Sequence, residues 1–554
     1  HRGPAPRADG VDAARLCWWS ARRRDARRAT GGVVTLYRDT RGLAARPRTF
    51  TEALLDGIAP GGGLYVPEEL PALGAADLAR FATLPYAGRA TAIYEAFGLD
   101  VAADRVAAIA ALSYGENFDD PEVAPVRDLG DGRYVLELWH GPTLAFKDMA
   151  LQCMPLFFSE ALELAHARGT TDLDFLILVA TSGDTGVAAL NGFADRAHTR
   201  IAVSYPDAGV SAIQERQMTT QPGGNLTVFA VEGDFDTCQE AVKAVFDDAA
   251  FAADLGARHR LAMSSANSIN WGRLLPQIVY YVSAYADMAA RGHVPAGAPI
   301  DVCVPTGNFG DILAGYYAGR MGVPIRRLLC ASNTNKVLTD FIASGVYDVS
   351  SRDLVKTPSP SMDILISNNL ERLLFDLRGD AEAVRGWMDE LRASRRFTVD
   401  AETLARLQAQ FVGAWVDNDT CLRTIGEVQR EKGYLMDPHT AVAWKVAEEL
   451  RGAGPGCTTE GRGSDVPVLV VSTAHWSKFA ADVVRGLSGA PDGAPLDTDD
   501  DFALLDRVVE MAPGARVPAS LEAVRARPTR FGTRIVGNRD ALERALLAWL
   551  DAGG

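Results

Sequence analysis

DFLILVATSGDTGVAALNGFADR, residues 174–196, decides the fold. A short apolar run, DFLILVA, stops at the polar, glycine-bearing turn TSGDTG and continues into VAALNGFADR, whose apolar spacing is helical. The same order of parts returns in IDVCVP–TGNFGD–ILAGYYAGRMG (300–322) and in PVLVVS–TAHWSK–FAADVVRGL (467–487). Strand, loop and helix repeated this way predict an α/β fold, a parallel sheet covered by helices. No fixed period relates the units, which sets aside a solenoid.

Working outward, VVTLYRDT (33–40) reads as a strand and FTEALLDGIA (50–59) as a short helix, and PGGG (60–63) turns the chain into LYVPEEL. Ala-rich helical patterns run on to about residue 112, and helical periodicity dominates 346–424. GAGPGCTTEGRGSDVP (452–467) and SGAPDGAPLDTDDD (488–501) read as exposed surface loops. Residues 1–31 differ from the rest: eight Arg against three Asp fit a disordered or transit-like extension, outside any fold reading.

The 554 residues leave room for about three to four structural units. With 47% apolar and 23% charged residues the chain can bury a sizeable core. The longest apolar candidate, LLPQIVYYVSAYADMAA (274–290), is broken by Pro276, Gln277 and Asp287, so no membrane span is expected. A net charge of −15 opposes nonspecific nucleic-acid binding, which relies on neutralising phosphates. Seven scattered cysteines, odd in number and without a C-x-x-C pair, argue against a disulfide framework or a structural zinc. They suit a reducing compartment, and the expected location is cytoplasmic, or a plastid or other organelle if residues 1–31 are part of a transit peptide.

Chemistry concentrates at three places. In ELWHGPTLAFKDMALQ (137–152) a strand ends, Gly141–Pro142 turns the chain, and Lys147 follows among apolar residues. A lysine in a partly desolvated pocket has a lowered pKa and can attack a carbonyl carbon, although a lysine near a turn is commonly just a solvated one. In PTGNFGD (305–311), Gly307 and Gly310 let the backbone approach a phosphate whose oxygens the amides around Asn308 and Phe309 and the next helix's N-terminus would meet. A tight strand-to-helix turn without a ligand has the same composition. This is neither a P-loop nor a GxGxxG turn, which disfavours ATP and NAD. In ATSGDTGVAAL (180–190), Ser182, Asp184 and Thr185 crowd a helix start, suited to a carboxylate and equally to an ordinary N-cap.

Together a carbonyl-reactive lysine, a glycine phosphate loop and a hydroxyl-rich carboxylate loop are the parts a pyridoxal-phosphate amino-acid enzyme needs. HGPTLAFKDMALQ closely resembles the lysine signature of threonine synthases, and ATSGDTG looks like their substrate-carboxylate loop. TFTEALLDGIAPGGGLYVPEEL, NSINWGRLLPQIVYY, VPTGNFGDILAGYYA, TPSPSMDILISNNLERLLF, DPHTAVA and STAHWSKFA resemble, in family order, the longer form found in fungi and many bacteria. One departure is Trp476–Ser477, where the family pattern has Pro-Ala.

The resemblance implies fold type II, with large and small parallel-sheet domains facing each other across pyridoxal 5′-phosphate. The expected division is an N-terminal domain at 32–125, a small domain at 159–258, a large domain from 126–158, 259–345 and 425–554, and a helical insertion at 346–424. The implied reaction turns O-phospho-L-homoserine and water into L-threonine and phosphate, in a monomer. Lys147 would hold the cofactor and shuttle protons, while Gly307, Asn308, Phe309 and Gly310 would take its phosphate with Asp311 alongside. Thr473, ahead of Ser472, would meet the ring nitrogen, and Asp184 the 3′-oxygen, where related enzymes usually carry Asn. Ser182 and Thr185 would bind the substrate carboxylate, and Arg273, with Lys478 and His475 as second choices, the substrate phosphate. His140 and His439 are expected to be structural. A phospholyase of the same fold giving a 2-oxo acid and a catalytically silent paralogue are the competing expectations.

Overall fold

The computed structural model describes residues 34–207, 209–451 and 466–553; residues 1–31 and most of the 452–467 loop lie outside the described residues. In chain order the strands are β1 (Tyr37–Asp39), β2 (Tyr65–Pro67), β3 (Val126–Asp128), β4 (Arg133–Glu137), β5 (Asp174–Ala180), β6 (Thr199–Pro206), β7 (Leu226–Glu232) and β8 (Leu261–Ser264). They continue as β9 (Ile300–Pro305), β10 (Ile325–Ser332), β11 (Val346–Asp348), β12 (Arg396–Thr398), β13 (Phe411–Trp415), β14 (Val468–Ser472) and β15 (Thr533–Val536).

Two open sheets carry the architecture. The larger has the order β13-β10-β9-β14-β4-β3, parallel except for the antiparallel edge strand β3. The smaller, β15-β7-β6-β5-β8, is parallel throughout. Every residue of β9 and β14 is buried, the near-continuous apolar pattern that helices on both faces of a parallel sheet demand. The predicted helix at residue 50 forms as Phe50–Asp56, opened by a capping box between Thr49 and Glu52. The strand read over 33–40 shrinks to β1, because the Asp39 carboxylate accepts the amides of Arg41 and Ala44 at 2.9 and 2.8 Å and bends the chain away.

The apolar stretch at 274–290 lies within a 20-residue helix, Trp271–Ala290, buried from Trp271 to Met288. It is apolar nearly all round because protein surrounds it. Asp287, which interrupts it, is paired bidentately with Arg89 at 2.7 Å. No described helix is long and apolar enough to cross a membrane.

Three boundary expectations need correction. Residues 346–424 are not wholly helical, since β11 pairs with β12 and β13 joins the larger sheet beside β10. β8, within the span assigned to the large domain, pairs with β5 of the smaller sheet. The end of 425–554 also leaves the larger sheet: β15 extends the smaller one along β7, and the helix Arg539–Asp551 packs on Phe235–Asp247. The apolar face of that last helix, with Leu542, Leu546 and Leu550, joins the apolar cluster of the smaller sheet and its helices.

Candidate active site

The carboxyl ends of β4, β5, β9 and β14 lead into the loops that carry Lys147, Asp184, Gly307 and Thr473, the position where open α/β sheets bind ligands. All four loops, with Arg273 and residues from the 361–371 stretch, line a cavity of ≈ 890 Å³, the loop after β14 through Thr473.

After β4 the chain turns at Gly141, where a Cβ would stand 2.5 Å from that of Asp148. The buried Asp148 carboxylate accepts the Thr143 amide at 2.8 Å and hydroxyl at 2.6 Å, locking the turn. Lys147 follows at the start of the single turn Asp148–Leu151. It is 8% exposed, with Nζ 3.1 Å from Asp184 Oδ2 and 3.4 Å from Ser361 Oγ. Burial pulls its pKa below the usual lysine value; Asp184 opposes this, and Lys478 and Arg273 add to it.

In the loop after β5, the Thr181 hydroxyl accepts the amides of Gly183 and Gly186 at 3.0 and 2.9 Å. Gly183 has φ 130°, and a Cβ there would lie 2.4 Å from Gln214. The N-cap of the helix Asp184–Phe193 is Gly183, with no side-chain capping bond, so the capping alternative fails for Ser182, Asp184 and Thr185. Ser182 and Thr185 line the cavity, and Asp184 is a hub. Its Oδ1 accepts from Lys478 Nζ and Gln214 Nε2, both at 2.8 Å, and its Oδ2 from Lys147 and, at 3.3 Å, the Ser361 hydroxyl. Burial alone would raise the Asp184 pKa, but the two lysines hold it far below the usual carboxylate range.

In the loop after β9 the left-handed conformation falls on Phe309, φ 63°, and not on a glycine. Gly307 is required by close approach: a Cβ would meet the Ser361 carbonyl at 2.8 Å and Met362 Cα at 3.1 Å. The loop is braced by the Ser367 hydroxyl on the Gly307 carbonyl at 2.6 Å and the Asn368 amide on Asn308 Oδ1 at 3.3 Å. The helix Gly310–Met321 also starts without a side-chain cap. Asp311 accepts both Tyr280 and Tyr281 hydroxyls on Oδ1, leaves Oδ2 without a partner, and is raised by burial to about 6.

Arg273 is 2% exposed, donates from Nη1 to the Ala266 carbonyl at 2.7 Å, and has no partner at Nε. Among the described residues no carboxylate lies within ion-pair distance of it, and burial lowers its pKa to about 10. Thr473 lines the cavity, whereas the Ser472 hydroxyl is engaged by Trp139 Nε1 at 3.0 Å and by Thr440 at 2.9 Å.

The second choices for a phosphate contact are corrected. Lys478 is fully buried, its amine spent on Asp184 and, at 2.8 Å, on the Thr143 carbonyl, and it does not line the cavity. His475 is kept neutral, burial lowering its pKa to about 3, and its Nδ1 accepts from the Ser477 amide.

Two histidines brace the site. His439 holds Asp437 at 2.6 Å through Nδ1 and accepts the Ser361 amide at 3.1 Å through Nε2. His140 stands 2.6 Å from Asp119 and 3.0 Å from Glu137. Burial alone would lower its pKa, but the two carboxylates lift it from 6.5 to about 9. A raised folded-state pKa gives stability that is complete below pH 6.5 and lost as pH rises through about 9. Urea unfolding of the wild type should therefore weaken across that window relative to His140→Asn; parallel profiles would refute the charged-imidazole assignment.

Ser361, Gln214 and Asn267 were not among the expected site residues; Ser361 and Asn267 line the cavity and Gln214 anchors Asp184. Ser361 and Asn267 fall inside quoted motifs, but nothing in the local pattern of Gln214 signals its contact. Elsewhere, His166, Asp174 and His198 come close enough to share a metal. One nitrogen of each imidazole is already engaged, His166 Nε2 on the Leu173 carbonyl and His198 Nδ1 on Asp174, and the two rings pack edge to face.

Comparison with known proteins decides the family. A model of the threonine synthase N terminus matches residues 36–114. Threonine synthase of Pseudomonas aeruginosa is 38% identical over 500 residues, covering 90% of this chain and 99% of that protein. The chain belongs to the threonine synthase family. The yeast threonine synthase crystal structure superposes with a TM-score of 0.80 at 32% identity, covering 93% of this chain and 99% of the other. The threonine synthase structure of Brucella melitensis, described as PLP bound, gives 0.78 at 35%, covering 92% and 98%. The architecture is therefore fold type II, as its solved relatives have it. Threonine synthase-like 1 of Macaca fascicularis is 42% identical over 447 residues, 79% of this chain, and the chain spans 58% of that relative's length.

Proposed function

We propose that this chain is a threonine synthase, converting O-phospho-L-homoserine and water to L-threonine and phosphate with pyridoxal 5′-phosphate. The observation that carries the reading is one cavity shared by a buried lysine of lowered pKa, a glycine loop at an uncapped helix start, and a buried guanidinium without a counter-ion.

The residues suit the cofactor. Lys147 would hold it through its amine, and Gly307, Asn308, Phe309 and Gly310 would hold its phosphate beside Asp311, where uncapped amides are available. Thr473, rather than the engaged Ser472, would serve the ring nitrogen, and the ionised Asp184 would accept a hydrogen bond at the 3′-oxygen. Bound there, pyridoxal phosphate supplies an electron sink for negative charge next to the substrate amine. Lys147 carries the protons, taking one from the substrate's Cα and returning protons during the rearrangement. Ser182 and Thr185 bind the substrate carboxylate, and Arg273 takes the phosphate that leaves. Both sheets contribute cavity walls, so their closure excludes water early, and opening admits the water that adds at Cβ.

The same reading makes the two sheets the large and small domains of a monomer, working in the cytoplasm or, with a transit segment, in an organelle. A second reading, a phospholyase of the same fold giving a 2-oxo acid, draws on the same lysine, glycine loop and guanidinium. Incubation with O-phosphohomoserine separates them: threonine with phosphate supports the synthase, a 2-oxo acid with ammonia and phosphate the lyase. No phosphate release would reject both.

Gly307→Ala tests the loop. Its Cβ would push on the 361–362 backbone and unseat the loop. Pyridoxal phosphate should dissociate at least about tenfold more readily on dialysis, a loss of roughly 1.4 kcal/mol, with circular dichroism unchanged. Equal retention would leave the loop as a turn only.

A further inference from the structure

Two lysines share one buried carboxylate. Lys478 meets Asp184 Oδ1 at 2.8 Å, and Lys147 meets Oδ2 at 3.1 Å. We propose that Lys478 is a positioning residue: by neutralising Asp184 from the side away from the cavity, it keeps the Lys147 amine free of a proton. The inference rests on the proposed function, in which Lys147 acts as an amine.

A buried carboxylate with a single lysine partner would hold that lysine as ammonium, because separating the charges at low dielectric is costly. Here the better-placed cation is Lys478. It is fully buried, has the shorter contact, and is fixed by the Thr143 carbonyl at 2.8 Å. Strand β14 delivers it through the short turn Trp476–Phe479, whose N-cap His475 accepts the Ser477 amide. Lys147 is left with the longer contact and a hydroxyl at 3.4 Å.

The other charged groups around Lys147 do not reverse this. Arg273, across the cavity, disfavours a second cation, and Asp311 is pushed towards neutrality by burial. Ser361, whose backbone amide His439 accepts, offers Lys147 only a neutral hydroxyl. Around Lys478, His475 is neutral, and burial raises Asp148 to about 6, its oxygens committed to Thr143.

The test is trace acetylation of the full chain, freed of cofactor by dialysis, across a pH series, with the Lys147 peptide quantified by mass spectrometry. Lys478→Met should move the labelling midpoint of Lys147 up by at least about one pH unit, an approximately tenfold drop in labelling below both midpoints. Lys478→Arg should stay at the wild-type midpoint. Asp184→Asn combined with Lys478→Met should return it to or below wild type, since no carboxylate then holds the proton. If the Met variant does not fold, Lys478→Gln, which still reaches a carbonyl, replaces it. An unmoved midpoint in the neutral variant, or a midpoint still raised in the double variant, overturns the proposal. The labelling needs no cofactor. Shifted midpoints in a chain that takes up no pyridoxal phosphate would sink the enzymatic reading and leave this one standing.

Discussion

Lys147→Ala is expected to abolish turnover of O-phosphohomoserine, by at least about a thousandfold, because one amine both holds the cofactor and moves the protons. The visible absorbance that the wild type gains with pyridoxal phosphate should disappear in the same variant. The fold should survive. Asp184 keeps Lys478 at 2.8 Å and Gln214 at 2.8 Å, so removing Lys147 leaves no orphaned buried carboxylate. Thermal melting therefore separates a lost amine from a lost structure. A Lys147→Ala protein that turned over at the wild-type rate would end the assignment of this lysine, and with it the proposed chemistry.

Sequence range decides how much of the fold and site was legible. The loops at 141–147, 181–185 and 307–310 could be read because a short apolar strand stops at glycine and polar residues, and backbone geometry alone then sets the loop at the sheet's carboxyl edge. Side chains that reach this edge from elsewhere could not. Gln214 meets Asp184 across 30 residues, and Ser361 meets Lys147 across 214. Lys478 shows the limit well. Its motif was recognisable, but only the direction of the turn after β14 decides whether its amine faces the cavity or the back of Asp184, and it takes the back. The glycines teach the same lesson. Gly307 is needed for the approach of residues 361–362, not for a positive φ, which falls instead on Phe309. Strand β13 was hidden inside helical periodicity, since five residues at a sheet edge carry little pattern of their own. β15 was hidden because its partner β7 lies about three hundred residues earlier, a pairing no local pattern signals.

Arg273→Ala should cost about 2–4 kcal/mol in kcat/KM for O-phosphohomoserine, roughly thirtyfold to a thousandfold. The reason lies in the contacts the guanidinium lacks. It is buried at the start of the helix Trp271–Ala290, with one carbonyl at 2.7 Å, an Nε without a partner and, among the described residues, no carboxylate in ion-pair reach. Its pKa, lowered by burial to about 10, still leaves it charged at neutral pH. A buried cation in that state weakens the free protein and is compensated when an anion arrives, as the substrate's phosphate would. The free Arg273→Met protein should therefore melt no lower than wild type, even as it loses activity. Arg273→Lys should recover only part of the rate, because an ammonium cannot make a bidentate contact with phosphate. Cofactor retention should be untouched in every variant, since the glycine loop has its own amides. A fall in melting temperature with unchanged kinetics would make Arg273 a structural cation, and the substrate phosphate would need another partner along the same wall.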